Sequence, residues 1–480
     1  MSSVLSDADR QALRDGIANL PRAENHKAGQ AVDPERMLVV PGHRAALDPD
    51  RPLVVANRGM GKSFWTHALA DEGTRSRIAG KIPSLGPTDV VIGFNASERA
   101  DSSAPTPTAL ASAFHASKAP EALWRSVLAR IATERLERSI PALRESFADA
   151  VNWTVANGEV VDRLLTELDD QEHAKGRKLV VVFDALDKLA NDWKTVRELL
   201  KALLQRALAA QSYRALRLKL FIRRDQSEDR TLFEFTDSSK LQNTRVELSW
   251  TSGDLYELLF TRLSQDATSA AAFGKLRGQL PSLLDPSGVH AKVLVDALAG
   301  EFMGAGENRG RVFTWLPLHL SDAHGETSPR TFLTAWREAA HHTPVPETLP
   351  VDHRGLLEGV RRASEDRLHE LHEDYWWIGT ALAPLRGQTV PIDRAALESL
   401  WKQDGTVQKI RQSTDRGLVP VHLESSTLDG EQALAHSLSA IGVIEVRSTG
   451  KINVPDIFRV EAGIKRKGGV KPPRRANGST

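Results

Sequence analysis

The stretch that decides the fold is Leu53-Val54-Val55-Ala56-Asn57-Arg58-Gly59-Met60-Gly61-Lys62-Ser63, followed by Phe64-Trp65-Thr66-His67-Ala68-Leu69. Its three leading apolar residues read as a short buried strand, and Phe64–Leu69 reads as the start of a helix. Between them stands the spacing of a phosphate-binding loop, with Ala56 in the place of the first glycine of G-x-x-x-x-G-K-[ST]. Gly59 and Gly61 let the backbone curl so that successive N–H groups point inward at phosphate oxygens. The helix opening near Lys62 adds its positive end. Lys62 then supplies a point charge to the phosphates, and the Ser63 hydroxyl is the candidate ligand for Mg²⁺. Ala56 is tolerable because a residue that ends a strand needs no positive φ. The candidate nucleotide contacts are therefore Asn57, Arg58, Gly59, Met60, Gly61, Lys62, Ser63 and Phe64.

A second anchor lies at Lys178-Leu179-Val180-Val181-Val182-Phe183-Asp184-Ala185-Leu186-Asp187. Five consecutive apolar residues ending in a carboxylate describe a central parallel strand that delivers Asp184 to the nucleotide edge of the sheet. There an acid orients Mg²⁺, so Asp184 joins Ser63 as a candidate metal residue. Further strands are expected at Asp89–Phe94, at Leu216–Ile222, which ends in Arg223-Arg224-Asp225, and at Thr244–Leu248. The alternation of strands and helices from 37 to 250 argues for an α/β parallel sheet with helices on both faces.

At 480 residues the chain is too long for one core, and two to three domains are expected. A composition 41% hydrophobic and 26% charged is that of an ordinary globular protein. The net charge of +1 gives no overall field that would draw in nucleic acid or membrane. There is no cysteine, which excludes disulfides and thiolate metal sites. The polar, charged segment Met1–Arg22 is not a signal peptide, and no apolar run is long enough to span a bilayer. The expected location is the cytoplasm.

The remaining chain is read as follows. Leu5–Leu20 is an amphipathic helix and Met37–Val40 a short strand. Gly73–Pro87 is a polar connection, and Asn95–Ala113, rich in Ala, Ser, Thr and Pro, is a mobile surface loop. Pro120 opens a long helix, more helices fill Pro141–Asp169, and Trp193–Ala210 is another. From Ser252 to His342 the pattern is helical apart from Gly304–Arg311. After the break Pro344–Pro350, Asp352–Leu385 is helical and carries an exposed-looking Tyr375-Trp376-Trp377, which could stack a base or dock a partner, although aromatics at a helix–helix seam are commoner; Pro391–Trp401 and Gln432–Ile441 are helices. Val443–Arg447 and Lys451–Val454 form a β-hairpin, so helices are followed by a two-stranded wing. The basic tail from Lys465 frays. The expected divisions are 1–30, a P-loop core at 31–250, a helical lid at 251–345, a helical and winged-helix module at 346–464, and the tail at 465–480.

These motifs resemble an additional-strand P-loop ATPase. That division takes in the AAA+ and STAND classes with their KAP and initiator-type branches, and the chain looks closest to a bacterial group of them. The resemblance rests on the phosphate loop, the strand ending in Asp184, the strand ending in Arg223-Arg224, and Ser328-Pro329-Arg330. It implies ATP with Mg²⁺ as cofactors. It also implies an Arg330 that reaches the γ-phosphate from the start of a lid helix, an arrangement suited to a forked guanidinium. Arg223 and Arg224 would sense that phosphate in cis, act on a neighbouring subunit, or simply end a solvated strand.

One residue departs from the pattern. Initiator-type relatives read Asp-Glu-Leu-Asp and KAP-type relatives Asp-Asp-Leu-Asp, where this chain has Asp184-Ala185-Leu186-Asp187. The missing acid orients or deprotonates the attacking water, a contribution on the order of 10²–10⁴-fold. Asp187 is either its stand-in or a structural partner. The expected function is a slowly hydrolysing ATP-dependent switch, in bacterial regulation or phage defence, that acts on a protein partner or another copy of itself. The alternatives are a DNA-binding initiator or loader, gripping phosphates through the wing and tail, and a scaffold that holds ATP without turnover. No Asn/Thr-Lys-x-Asp motif for guanine is present, which favours ATP. His341-His342 and His369/His372 lack an acidic partner set at zinc spacing.

Overall fold

Leu53–Val55 forms β1, and four further strands join it: β2 (Thr88–Phe94), β3 (Lys178–Phe183), β4 (Leu216–Ile222) and β5 (Val246–Glu247). In this computed structural model, which describes residues 5–21, 37–99, 101, 103–279, 289–425 and 428–468, the five strands make one sheet in the order β2-β3-β4-β1-β5. Every pairing in that sheet is parallel. β4 therefore lies between β1 and β3, an additional strand between the phosphate-loop strand and the acidic strand. The register sets Leu53 beside Leu220 and Val181 beside Leu218. The fold is that of an α/β P-loop protein. β3 is an interior strand, second from the edge, and its apolar run is buried throughout because helices cover both faces.

The chain divides into two compact units, His26–Ser249 and Met1–Asn25 with Trp250–Thr480. In the first, Trp124 anchors the helix Pro120–Arg135 to the sheet. Its indole donates to the Leu199 carbonyl at 2.8 Å, and its ring meets Phe183 edge-on at 5.6 Å. Lys219, on an otherwise apolar β4, is buried, and its ammonium donates to the carbonyls of Ala46, Asp48 and Arg51 at 2.9, 2.9 and 2.7 Å. All three donors of the ammonium are thus used. They tie the segment before β1 to the centre of the sheet.

In the second unit, the helices Pro329–His341 and His353–Asp374 pack closely. A Cβ at Gly359 would stand 2.1 Å from the Ala335 carbonyl oxygen, so only glycine allows the two backbones this near. The helix Asp7–Ala18 belongs to this unit, where Arg14 donates to the carbonyls of His342 and Pro350 at 2.6 and 2.9 Å. Towards the C-terminus come the helices Arg394–Asp404 and Gly430–Ala440 and the antiparallel pair β7 (Glu445–Val446) and β8 (Ile452–Asn453). β6 (Thr389–Val390) pairs in parallel with β9 (Lys465–Arg466). Among the described residues no helix is long and apolar enough to cross a membrane.

Several expectations are corrected. Met37–Val40 is not a strand: Val40 caps the helix Pro41–Leu47, with Pro41 at its first position, where a missing N–H has no cost. Gly73–Pro87 is not a plain connection: it begins inside the helix Glu72–Ala79, opened by the Asp71 carboxylate accepting from Thr74 N–H at 2.8 Å, and also contains a 3₁₀ turn at Pro83–Leu85. Within Asn95–Ala113, Thr106 and Pro107 open the helix Pro107–Ser117, whose Leu110, Ala113 and Phe114 are buried. Tyr375, Trp376 and Trp377, exposed-looking in the sequence, are buried, in keeping with the helix–helix seam favoured for them over base stacking. The helix expected from Pro391 begins at Arg394, because Val390 is taken by β6. The start of the basic tail is ordered as β9, with Arg466 donating to Asp456 at 2.8 Å; residues 469–480 lie outside the described residues, as do 22–30 of the expected N-terminal loop.

Candidate nucleotide site

The site begins where β1 runs out. The Ala56 N–H, one residue past β1, still donates to the Ile222 carbonyl at 3.1 Å, and Ala56 is not among the residues with positive φ, so its place needs no glycine. Beyond it, Gly59 and Gly61 take φ values of 83° and 104°, the left-handed region that L-residues avoid. Gly61 is the residue before the helix Lys62–Ala70, and its carbonyl accepts the first helical bond, from Trp65 N–H at 2.9 Å. Asn57 and Met60 are buried beneath the loop, Arg58 and Phe64 are half-buried, and Ser63 is exposed at the helix start. Phe64 packs edge-on against Trp65, with ring centroids 5.0 Å apart.

Lys62 is folded back into this loop, donating to the carbonyls of Ala56 and Asn57 at 3.1 and 3.0 Å. Burial of its ammonium pulls its pKa down to about 8; the Arg223 charge acts in the same direction, and Asp184, Asp187 and Asp225 oppose it. These five side chains therefore share one electrostatic neighbourhood, gathered from the ends of β1, β3 and β4. Asp184 is buried, with its N–H donating to the Phe94 carbonyl at 2.8 Å. Its Oδ1 is buried and has no hydrogen-bond partner. An orphaned carboxylate oxygen at the end of a parallel strand is costly unless a ligand satisfies it. Hard oxygen donors of this kind suit Mg²⁺, which takes one or two protein ligands and completes its shell with water and substrate phosphates. Ser63 and Asp184 fit that ion.

Ala185, where the expected acid is missing, has φ 55° and ψ 36°, an uncommon left-handed conformation for a residue with a side chain. It opens a single 3₁₀ turn, Leu186–Lys188, and the Asp187 carboxylate in that turn meets Arg223 at 2.6 Å. Arg223 is rooted firmly: its N–H donates to the Gln226 side chain, and its carbonyl accepts from Ser227 N–H, both at 3.0 Å. Arg224 pairs with Glu247 at 3.2 Å. Arg330 belongs to the other compact unit and pairs with Glu370 at 2.9 Å. The site also contains Asp225 and Gln226, to which the sequence reading gave no role. Their only signal was their place directly after the strand ending in Arg223-Arg224.

No protein-family model matches the chain, and no curated protein matches it. Among solved structures, the chain is similar to the Aeropyrum pernix ORC2 protein in ADPNP–ADP complexes, with 14% identity over 92% of this chain and 95% of that one and a TM-score of 0.37. It is also similar to Cdc6p from Pyrobaculum aerophilum, with 13% identity over 91% and 95% and a TM-score of 0.31. A likeness this distant does not bear on what this chain binds.

Proposed function

We propose that this chain binds ATP with Mg²⁺ and hydrolyses it slowly, acting as a nucleotide-controlled switch. The observation that carries the reading is the meeting of a glycine-shaped loop around Lys62 with the buried, unpartnered Oδ1 of Asp184 at one edge of a parallel sheet. The loop N–H groups and the N-terminus of the helix Lys62–Ala70 take up the β- and γ-phosphates. Lys62 exchanges its two carbonyl partners for phosphate oxygens, and Ser63 and Asp184 hold the metal. When bound, Mg²⁺ neutralises the charge that develops on the phosphates. With alanine at 185, the strand end supplies no acid next to Asp184 to activate water, so turnover is slow.

The output of the switch is assigned to the C-terminal helices and hairpin, read as a winged-helix module that packs on other protein surface, in this chain, in a partner or in a second copy. The helix Gly430–Ala440, which precedes the hairpin, contains no lysine or arginine, and most of it is buried. In the hairpin, Arg447 pairs with Glu445 at 3.4 Å and Lys451 with Asp393 at 3.2 Å. A groove-reading helix needs exposed cations and amides, so these features favour packing over DNA recognition. The role given to Arg330 rests on the resemblance and is proposed on that ground.

The test is calorimetric titration of the full chain with ATP, with and without Mg²⁺, beside phosphate release under saturating ATP. Micromolar Mg²⁺-dependent binding that Lys62→Ala weakens strongly, with slow turnover, is the expected result. Failure of the wild-type chain to bind ATP or ADP overturns the reading, and stimulation by duplex DNA that falls steeply with salt would install the initiator reading instead.

A further inference from the structure

The pair Asp187–Arg223 raises a question that the nucleotide reading leaves open. We propose that Asp187 is a positioning residue that aims Arg223 at the γ-phosphate, so that the pair distinguishes ATP from ADP and Asp187 is not the base that activates water. The inference rests on the ATP-binding function proposed above and assigns a specificity element within it.

Four observations converge. First, the ion pair is close, 2.6 Å, and sheltered, with the two side chains only 11% and 15% exposed. The carboxylate is committed to the guanidinium, and freeing it to serve another partner would strand a poorly solvated cation. Second, β4 runs beside β1 to its last residue, Ile222 beside Val55, and the Ala56 N–H donates to the Ile222 carbonyl at 3.1 Å, so Arg223 leaves the sheet next to the loop whose Ala56 and Asn57 carbonyls hold the Lys62 ammonium. Two cations brought together at the mouth of a phosphate loop are relieved by a polyanion between them, which is what the spread charge of a γ-phosphate provides. Third, the backbone root of Arg223 is fixed by Gln226 and Ser227, so the side chain needs only a hold nearer its tip, and Asp187 supplies one. Fourth, that hold depends on the turn begun by the left-handed Ala185. A conformation of this kind persists when its surroundings enforce it, and such outliers concentrate at functional sites. A guanidinium offers five donors in a planar fork, enough to hold the carboxylate along one edge and phosphate oxygens along another.

ATP and ADP affinities would be measured by calorimetry in Mg²⁺ for the wild-type chain, Asp187→Asn, Arg223→Gln and the double variant, with single-turnover hydrolysis at saturating ATP across pH. The wild type should prefer ATP to ADP. Each single variant should lose about tenfold of that preference, as expected for one charge-assisted contact, and the double variant should lose no more than either single one. ADP affinity should stay within about twofold, which verifies that the variants fold, and Asp187→Glu should restore part of the preference. Hydrolysis by Asp187→Asn at saturating ATP should fall no further than it does for Arg223→Gln, and the pH profiles of the two variants should coincide, because Asp187 acts through Arg223.

An Asp187→Asn variant that keeps the wild-type preference but loses turnover at saturation would make Asp187 the base and overturn the proposal. Additive losses in the double variant, or a wild type with no preference, overturn it as well. Loss of both nucleotides by the wild-type chain is a different result and removes the underlying ATP reading.

Discussion

Raising the pH should loosen ATP, because Lys62 starts from a depressed pKa. Its ammonium is withdrawn from water, repelled by Arg223 and held by two carbonyls in a partly buried loop, which pulls its pKa down to about 8. Phosphate oxygens carry far more negative charge than carbonyls, so in the complex the pKa must rise back towards or above the ordinary lysine value of about 10.4. The sign follows from linkage. The bound form holds the proton more tightly, so binding takes up a proton above pH 8, and affinity is lost as pH rises through 8. At pH 7 about a tenth of Lys62 is neutral and at pH 9 about nine-tenths, so the apparent dissociation constant should rise about tenfold between them, or ~1.4 kcal/mol. The last phosphate proton of ATP, with a pKa of roughly 6, is already gone over most of that range. Calorimetry in two buffers of different ionisation enthalpy reads both quantities. Proton uptake should be about one half at pH 8 and about nine-tenths at pH 9. Lys62→Met should bind weakly with no pH dependence in this window. A wild-type affinity that is flat from pH 7 to 9, with no proton uptake, would refute the argument.

Other expectations follow from single contacts. Asp184→Asn removes the charge from the orphaned Oδ1 site and should weaken Mg²⁺-dependent ATP binding about tenfold or more while leaving metal-free binding nearly unchanged, as read by titration with and without the ion. Gly359→Ala drives a Cβ to within 2.1 Å of a backbone oxygen. It should cost about 1–3 kcal/mol of stability, seen as a lower denaturation midpoint for the unit that contains both helices. Lys219→Met leaves three carbonyls without their donor and should destabilise the P-loop unit by about 3 kcal/mol in chemical denaturation. Arg330→Ala breaks the pair with Glu370 and, on the role proposed for it, should lower ATP affinity; an unchanged affinity leaves Arg330 a structural residue.

The errors of the sequence reading have physical causes. Glu72–Ala79 has little amphipathic contrast, and its start is fixed by a capping carboxylate rather than by an apolar stripe. The segment leading into Pro107–Ser117 is rich in the small residues and prolines that mark loops, yet a Thr–Pro start is also a good helix opening. Tyr375-Trp376-Trp377 is no such error, since a helix–helix seam is the commoner place for aromatics and all three are buried, but a run of aromatics has no period and only the surrounding helices decide it. The short strands β6 and β9 hold two residues each and pair across a long stretch of chain, below the length at which alternation can be read.

By itself the sequence determined the phosphate loop, the strand before it, the helix after it and the acidic strand that ends at Asp184. Those signals are local: positive φ at two glycines, a run of buried apolar residues and a carboxylate at its end depend on neighbours within a dozen positions. Tertiary structure alone decided the order β2-β3-β4-β1-β5, the burial of Lys219 under the segment before β1, and the partners of the charged residues at the site. Asp187 and Arg223 are both evident in the sequence, but that they hold each other depends on β3 and β4 lying side by side and on the left-handed turn at Ala185. Pairing between charges distant in sequence leaves no periodic trace; it exists only once the backbone has brought the two strand ends together.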